Sequence, residues 1–395
     1  MGFRICGSDP ERRKSKEIEK KINTWMKDYN KVMKMLLLGA GESGKTTIIK
    51  QMKILHINGF SKEEFAEKRC EVRSNIFESI TTLLSQLDKQ GLQLQISDSL
   101  IAAEYIRNNP PENPDDMTQQ YYTCVQQLWR DGSIQNVYNM QNKYQLIDCA
   151  KYFLDKIDVI RDVSYEPSEQ DILYSRKRTT DIQEIQFEMK IPKKFGGGKQ
   201  LFKLFDVGGQ RGERKKWVQL FDGIQVVLFL VSASSFDMRI AEDETTNRFQ
   251  ESLELFEFVW TTRFLREAGT IIFLNKQDIL KQKIIEEKKN IGDYFPEYQN
   301  YKLDPKDKDI GENEDYLRTR CFIRDKFMGI AKTAGMATGP QRVKMAPGFS
   351  IAVEEKPRHC YSHFTTATDT NNVKLVFDDV HSMIITRNLS ALGIQ

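Results

Sequence analysis

The sequence predicts an α/β fold, a doubly wound and mostly parallel sheet interrupted by an inserted all-helical block. Three observations carry that prediction. A short apolar run, Met33–Leu38, meets a glycine-rich turn and then a helical stretch, Lys45–Leu55, the strand–loop–helix order of a phosphate-binding unit. Continuous apolar runs bounded by polar residues, Val226–Val231 and Thr270–Leu274, read as buried parallel strands. From about Ser61 to Gln170 the composition turns to Gln, Leu, Ile, Glu and Tyr with few β-branched runs, which suits helices packed on helices.

Taken in chain order, Glu11 to about Lys34 is rich in Lys, Arg and Glu, with Ile18, Ile22, Trp25, Met26 and Tyr29 at helical spacing. That predicts one long amphipathic helix with a basic excess, either a solvated arm or a helix that binds a partner or a membrane surface. In the helical block the longest helix is expected over Phe65–Leu87, and Pro110, Pro111 and Pro114 break the chain further along the block. Strands return at Ile182–Ile191 and Gln200–Phe205, around a turn at Gly196–Gly198. A last helix fits Asn371–Leu392, with Val373, Val376, Phe377, Val380, Ile384 and Leu389 near one face. Met328–Pro357 is Gly-, Pro-, Ala- and Lys-rich without periodicity and reads as a long surface loop. The expected division is thus an N-terminal helix (1–32), a first sheet segment (33–60), the helical insertion (61–170) and a second sheet segment (171–395) that contains the 328–357 loop.

Composition narrows the function classes. The 395 residues carry a net charge of only +3 on 59 basic and 56 acidic groups, so nothing global argues for nucleic acid. The six cysteines are scattered at 6, 70, 124, 149, 321 and 360 without CxxC spacing, which reads as reduced thiols. His359-Cys360-x-x-His363 is read as two histidines flanking a short strand, because no second ligand pair accompanies it. The apolar runs are too short to span a bilayer.

Three motifs carry chemistry. Gly39-Ala-Gly41-Glu42-Ser43-Gly44-Lys45-Thr46 satisfies the GxxxxGK[ST] phosphate-loop pattern. Backbone N–H groups from Glu42 to Thr47 point into one concavity at a helix start, Lys45 reaches the β and γ phosphates, and the Thr46 hydroxyl takes a place on Mg²⁺. Asn275-Lys276-Gln277-Asp278 comes directly after a buried strand, at the sheet edge where ligands bind. A carboxylate there accepts from guanine's ring N–H and exocyclic amine together, which adenine does not offer. This favours GTP over ATP, while a P-loop ATPase or kinase is the alternative that nucleotide competition decides. Asp206-Val-Gly-Gly209-Gln210 ends another strand: Asp206 is placed for a water-mediated Mg²⁺ contact, Gly209 for close approach of backbone to a γ-phosphate, and Gln210 to orient the attacking water.

GAGESGKT, DVGGQRGERKKW, NKQD and TTATDT, with Arg176-Lys-Arg-Thr179-Thr180 between them, resemble the motif set of heterotrimeric G-protein alpha subunits, over nearly the whole chain and including the insertion. Small Ras-like GTPases resemble only the sheet part. The resemblance implies a P-loop Ras-like domain that hydrolyses GTP to GDP, with Arg176 as an arginine finger in cis beside Gln210, and Thr179 as a switch threonine on Mg²⁺. Leu173 would line the ribose. Thr365-Thr366-Ala367-Thr368 would be the guanine loop, with the Ala367 N–H on the base oxygen and Thr366 in place of the usual Cys. Residues 175–182, 206–220 and roughly 237–248 would be the three switches. The implied partners are a βγ dimer, a G-protein-coupled receptor or other exchange factor, effectors, a hydrolysis-accelerating regulator and a membrane surface, at the cytoplasmic face of the plasma membrane. A nucleotide-gated scaffold with vestigial hydrolysis and a self-activating switch remain alternatives.

Departures from the family pattern matter too. Gly2 suits myristoylation, but Cys6 stands where Ser or Thr is expected; Cys6 is itself a palmitoylation candidate. Leu392 stands where one alpha-subunit class has a cysteine for toxin ADP-ribosylation, and Asp181 replaces the usual Gly after the switch threonines. Lys156 stands where many relatives have an acid that pairs across the nucleotide cleft, which implies a looser clasp and faster GDP release.

Overall fold

The structure is a computed structural model that describes residues 32–191, 193, 197–336, 342–346, 349–352 and 358–391. The segment expected to form an N-terminal amphipathic helix, with Gly2 and Cys6, and Leu392 lie outside the described residues.

Six strands form the central sheet in the order β10-β7-β4-β1-β3-β2. These are β1 (Val32–Leu38), β2 (Gln183–Lys190), β3 (Lys199–Asp206), β4 (Val226–Ser232), β7 (Gly269–Asn275) and β10 (Cys360–Phe364). All neighbours run parallel except β2, which pairs antiparallel with β3 at the edge. The central strands β4 and β7 are buried along their whole length, as continuous Val/Leu/Ile/Phe runs require when both faces are covered. Val32–Lys34, which the sequence pattern draws into the N-terminal helix, belong to β1. Lys34 donates its N–H to Gln225 Oε1 (3.0 Å) and accepts from the Gln225 N–H (3.1 Å), so the sheet claims this backbone.

Alternation along β1 separates the two faces. Leu36 and Leu38 point into a core with Trp217, α9 (Arg248–Thr261), α10 (Gln277–Ile285) and α11 (Glu314–Met336). Met33, Met35 and Leu37 point to the other face, against α1 (Lys45–His56) and α12 (Thr370–Ala391). Helices on both faces of a mostly parallel sheet make the doubly wound arrangement that the sequence predicts.

The helical block has a core of its own. It comprises α2 (Lys62–Lys89), α3 (Ser97–Asn108), α4 (Gln119–Arg130), α5 (Gly132–Asn139), α6 (Ala150–Asp155) and α7 (Ile157–Ile160), with α8 (Glu169–Tyr174) on the return path. Val72, Ile76, Ile80, Leu83 and Leu87 form the buried stripe of α2 at helical spacing, against Tyr121, Val125, Leu128 and Phe153. α2 starts before the expected Phe65 because Ser61 and Glu64 close a capping box: Ser61 Oγ accepts from the Glu64 N–H, and Glu64 Oε2 accepts from the Ser61 N–H.

One expectation fails. The described residues of 328–357 are not a structureless loop. Met328, Ile330 and Ala331 pack against the sheet core, so α11 continues to Met336. Beyond it β8 (Arg342–Ala346) and β9 (Phe349–Ala352) pair as an antiparallel hairpin, Val343 opposite Ile351. The small residues Gly329, Ala331, Ala334 and Gly335 blur the helical period, which is why pattern reading misses it. A second small hairpin, β5 (Arg239–Ile240) with β6 (Asp243–Asn247), occupies the expected third switch.

Candidate active site

Four loops leave the carboxyl ends of β1, β3, β7 and β10 and line one cavity of about 630 Å³ together with residues of the helical block. Gly39 turns the chain out of β1 at φ 139°, where a Cβ would stand 2.2 Å from Leu230 O. Gly44 has φ 100°, and its missing Cβ leaves room for Asn275 Nδ2. That amide donates to Ser43 O at 2.8 Å and so ties the phosphate loop to the loop after β7.

Lys45 begins α1, is buried, and donates to Gly39 O (3.0 Å) and Ala40 O (2.9 Å). Removal from water pushes its ammonium down to about 8, against the pull of Asp206. A pre-aimed, poorly hydrated cation facing a cleft is a ready counter-charge for phosphate. Beside it three oxygens converge. Thr46 Oγ1 donates to Asp206 Oδ2 at 2.6 Å and stands 2.9 Å from Thr179 Oγ1. Asp206 is wholly buried, its second carboxyl oxygen has no hydrogen-bond partner, and burial raises its pKa. Hard oxygen donors with a buried orphan carboxyl oxygen fit a small divalent cation.

Gly209 packs so closely on the phosphate loop that a Cβ would lie 2.4 Å from both Gly39 O and Lys45 Nζ. The next residue, Gln210, lines the cavity with its Oε1 unpartnered. A 3₁₀ helix then begins, Arg211–Leu220, pinned to α9 by Arg211 and Arg214, both on Glu251 at 2.7 Å, while Trp217 Nε1 donates to Gly208 O.

Arg176 reaches the cavity from the strap between α8 and β2. Its Nη2 donates to Glu42 Oε1 at 2.7 Å, and Arg248 of α9 holds the other oxygen at 2.7 Å. Burial alone would raise the Glu42 carboxyl, but the guanidiniums of Arg248 and then Arg176 override it and hold it low. Arg248 also bonds Gln145 Oε1 of the helical block at 2.7 Å.

At the far end Asn275 Oδ1 accepts from the Ala367 N–H at 2.9 Å and from Thr365 Oγ1 at 3.3 Å, and Gln51 Nε2 donates to Ala367 O. The Ala367 N–H, expected on a base oxygen, is therefore engaged by Asn275. Thr366 does not line the cavity; its N–H is taken by Asn372 Oδ1. The remaining predicted residues Gly41, Glu42, Ser43, Gly44, Thr47, Leu173, Lys276, Asp278 and Thr368 all line it.

The cross-cleft clasp is not where the sequence places it. Lys156 turns inward to Asp171 Oδ1 (2.6 Å), at the start of α8. The acid that pairs across the cleft is Asp148, bonded to Lys276 of the loop after β7. Asp148, Gln145, Lys50 and Asn75 escape sequence reading because each stands alone in its stretch of chain, outside any motif, and Arg248, at the end of the expected third switch, carries no pattern that points to Glu42.

Comparison with known proteins agrees with this geometry. The G-protein alpha subunit family model matches residues 12–384. The chain is 46% identical over 363 residues to the G(f) subunit alpha of Drosophila melanogaster, covering 92% of this chain and 88% of that one. It is 39% identical over 381 residues to the human G(olf) subunit alpha (95% and 93% covered), and 39% identical over 389 residues to the G(s) subunit alpha of Lymnaea stagnalis (97% and 96% covered). With the phosphate loop, the catalytic-edge loops and the helical insertion all present, the chain belongs to the G-protein alpha subunit family, guanine-nucleotide-binding GTPases that act as signalling switches.

Proposed function

We propose that the chain runs its GTPase switch with the residues gathered in this cavity, each in a defined role. Lys45 and the N–H groups of residues 42–47 bind the β and γ phosphates. Thr46 and Thr179 would hold Mg²⁺, with Asp206 reaching it through water, a set supported by the three converging oxygens. When bound, Mg²⁺ neutralises charge on the phosphate oxygens. Gln210 orients the attacking water, and Arg176 swings from Glu42 to the transferring phosphoryl group, where it stabilises the charge of the transition state. Asp278 reads the guanine edge at the other end, with Asn275, Lys276, Ala367 and Thr368 closing round the base and Leu173 beside the ribose.

The observation that carries this reading is the meeting of the phosphate loop, Asp206 and Thr179 within 2.6–2.9 Å, next to a loop that presents Asp278 into the same cavity. A βγ dimer, a receptor or other exchange factor, effectors and a hydrolysis-accelerating regulator are the proposed partners. The proposed location is the cytoplasmic face of the plasma membrane, held by Gly2 or Cys6 lipidation and the basic N-terminal segment. Among the described residues no helix is long and apolar enough to cross a membrane. Nucleotide competition tests the base assignment: GTP displaces bound labelled GDP at least 100-fold better than ATP, and Asp278→Asn narrows that gap. Displacement by micromolar ATP from the unaltered protein would overturn it.

A further inference from the structure

We propose that Asn75 is the positioning residue that seats the arginine finger. Asn75 lies in the fourth turn of α2, in the helical block, and is 1% exposed. Its side chain takes both backbone groups of Arg176: Nδ2 donates to Arg176 O at 2.8 Å, and Oδ1 accepts from the Arg176 N–H at 2.7 Å. One planar amide thereby fixes the chain on both sides of the Arg176 Cα. Away from water the two bonds meet little competition, and leaving either group unmade carries the desolvation cost of a buried polar atom.

The strap is held from the sheet side as well. Lys50 of α1, also buried, donates to Ile172 O (2.8 Å), Ser175 O (2.5 Å) and Ser175 Oγ (3.0 Å). Lys50 thus stops the chain one residue short of Arg176, and Asn75 fixes Arg176 itself. With its backbone anchored, the guanidinium explores only its own side-chain torsions between Glu42 and the phosphoryl site. Losing the anchor frees the φ and ψ angles of Arg176, which moves the guanidinium by an ångström or more and costs on the order of 100-fold where geometry governs the rate. The finger is seated from the helical block, so the block supplies catalytic geometry and not only a cover.

The inference rests on the reading of Arg176 as the transition-state arginine, and the test separates the two. Single-turnover GTP hydrolysis is measured on the full chain as wild type, Asn75→Ala, Arg176→Cys and the double variant. Asn75→Ala is expected to slow hydrolysis roughly 10- to 100-fold, Arg176→Cys to slow it further, and the double variant to match Arg176→Cys within about twofold, as coupled residues do. Asn75→Asp keeps the acceptor for the N–H and loses the donor to the carbonyl; it is expected to show the same finger-dependent loss, and carries the test if the alanine variant does not fold. A slow Arg176→Cys with Asn75→Ala at the wild-type rate overturns the seating role. So does an Asn75→Ala loss that persists undiminished in the Arg176→Cys background, because that loss would not act through the arginine. An Arg176→Cys protein at the wild-type rate overturns the arginine reading itself.

Discussion

The sheet and the helical block face the same cavity but furnish it differently. The sheet presents contiguous loops at strand ends, residues 39–46, 206–210, 275–278 and 365–368, whose groups are tied to one another by Asn275, Lys45 and Thr46. The block presents single side chains, Asn75, Gln145 and Asp148, each bonded to one partner region across the cleft or on the strap. Loops at strand ends aim several backbone and side-chain groups at one point, so they can bind and react. Isolated side chains on helices can orient or retain what the loops hold, but they cannot build a reaction centre. Substitutions in the loops are therefore expected to change the chemistry directly, and those in the block to change how firmly the cleft stays shut or, at Asn75, how the strap that carries Arg176 is seated.

Gln210→Leu gives the largest effect on that division. Single-turnover hydrolysis is expected to fall by on the order of 100-fold or more, because the amide proposed to orient the attacking water is lost, while GDP dissociation stays within about twofold. Phosphate release and nucleotide off-rates measured on the same preparation check both halves. A parallel rise in GDP release would break the contrast between loop and block. Asp148→Asn is the converse, and smaller. Its pair with Lys276 sits at the cleft mouth with the carboxylate about one-third exposed, and such pairs contribute at most about 1 kcal/mol. GDP dissociation should rise about three- to fivefold with hydrolysis unchanged. Raising the salt concentration should shrink the difference.

The same contrast decides what was legible in the sequence. Three of the sheet loops, Gly39–Thr46, Asp206–Gln210 and Asn275–Asp278, carry their signal in consecutive residues after a buried strand and are legible from spacing and flanking hydrophobicity, whereas 365–368 is legible only through the family resemblance. The block writes its contribution into residues dozens of positions apart. Asn75 meets Arg176 101 positions later, and Asp148 meets Lys276 128 positions later. Neither carries a local pattern: the packing of α2 on the strap brings the first pair together, and the approach of the segment before α6 to the loop after β7 brings the second. Thr366 was assigned to the cavity by its place in TTAT, yet Asn372 takes its N–H, a contact made from the first turn of the next helix. Residues 328–336 depart from the expected loop for a different reason: Met328, Ile330 and Ala331 pack on the core, while the Gly and Ala residues of the sequence blur the helical period.

Lys156 sharpens the comparison most finely, because the sequence reads it as replacing the clasp acid and loosening the cleft, and the geometry places it elsewhere. Its ammonium meets Asp171, whose side chain is 1% exposed and also accepts from Tyr152 Oη (2.8 Å) and the Ser168 N–H (2.9 Å). Burial works to raise the Asp171 carboxyl, but these donors outweigh it and hold it below its ordinary value. A carboxylate whose native pKa is lowered contributes stability that is present above the unfolded value and lost as pH falls through the native one. Lys156→Ala removes one donor and leaves two, so the native pKa rises towards the unfolded value and the stabilisation shrinks without vanishing. The expected cost is about 1 kcal/mol at neutral pH, and it should fade as the pH drops below about 4, where Asp171 is protonated in the unfolded chain. Denaturant midpoints of the two proteins at pH 7 and at acid pH measure this. GDP release should stay within about twofold of the unaltered protein, since no atom of Lys156 bonds across the cleft. A severalfold change in release with unchanged stability would return Lys156 to the clasp and displace Asp148 from it.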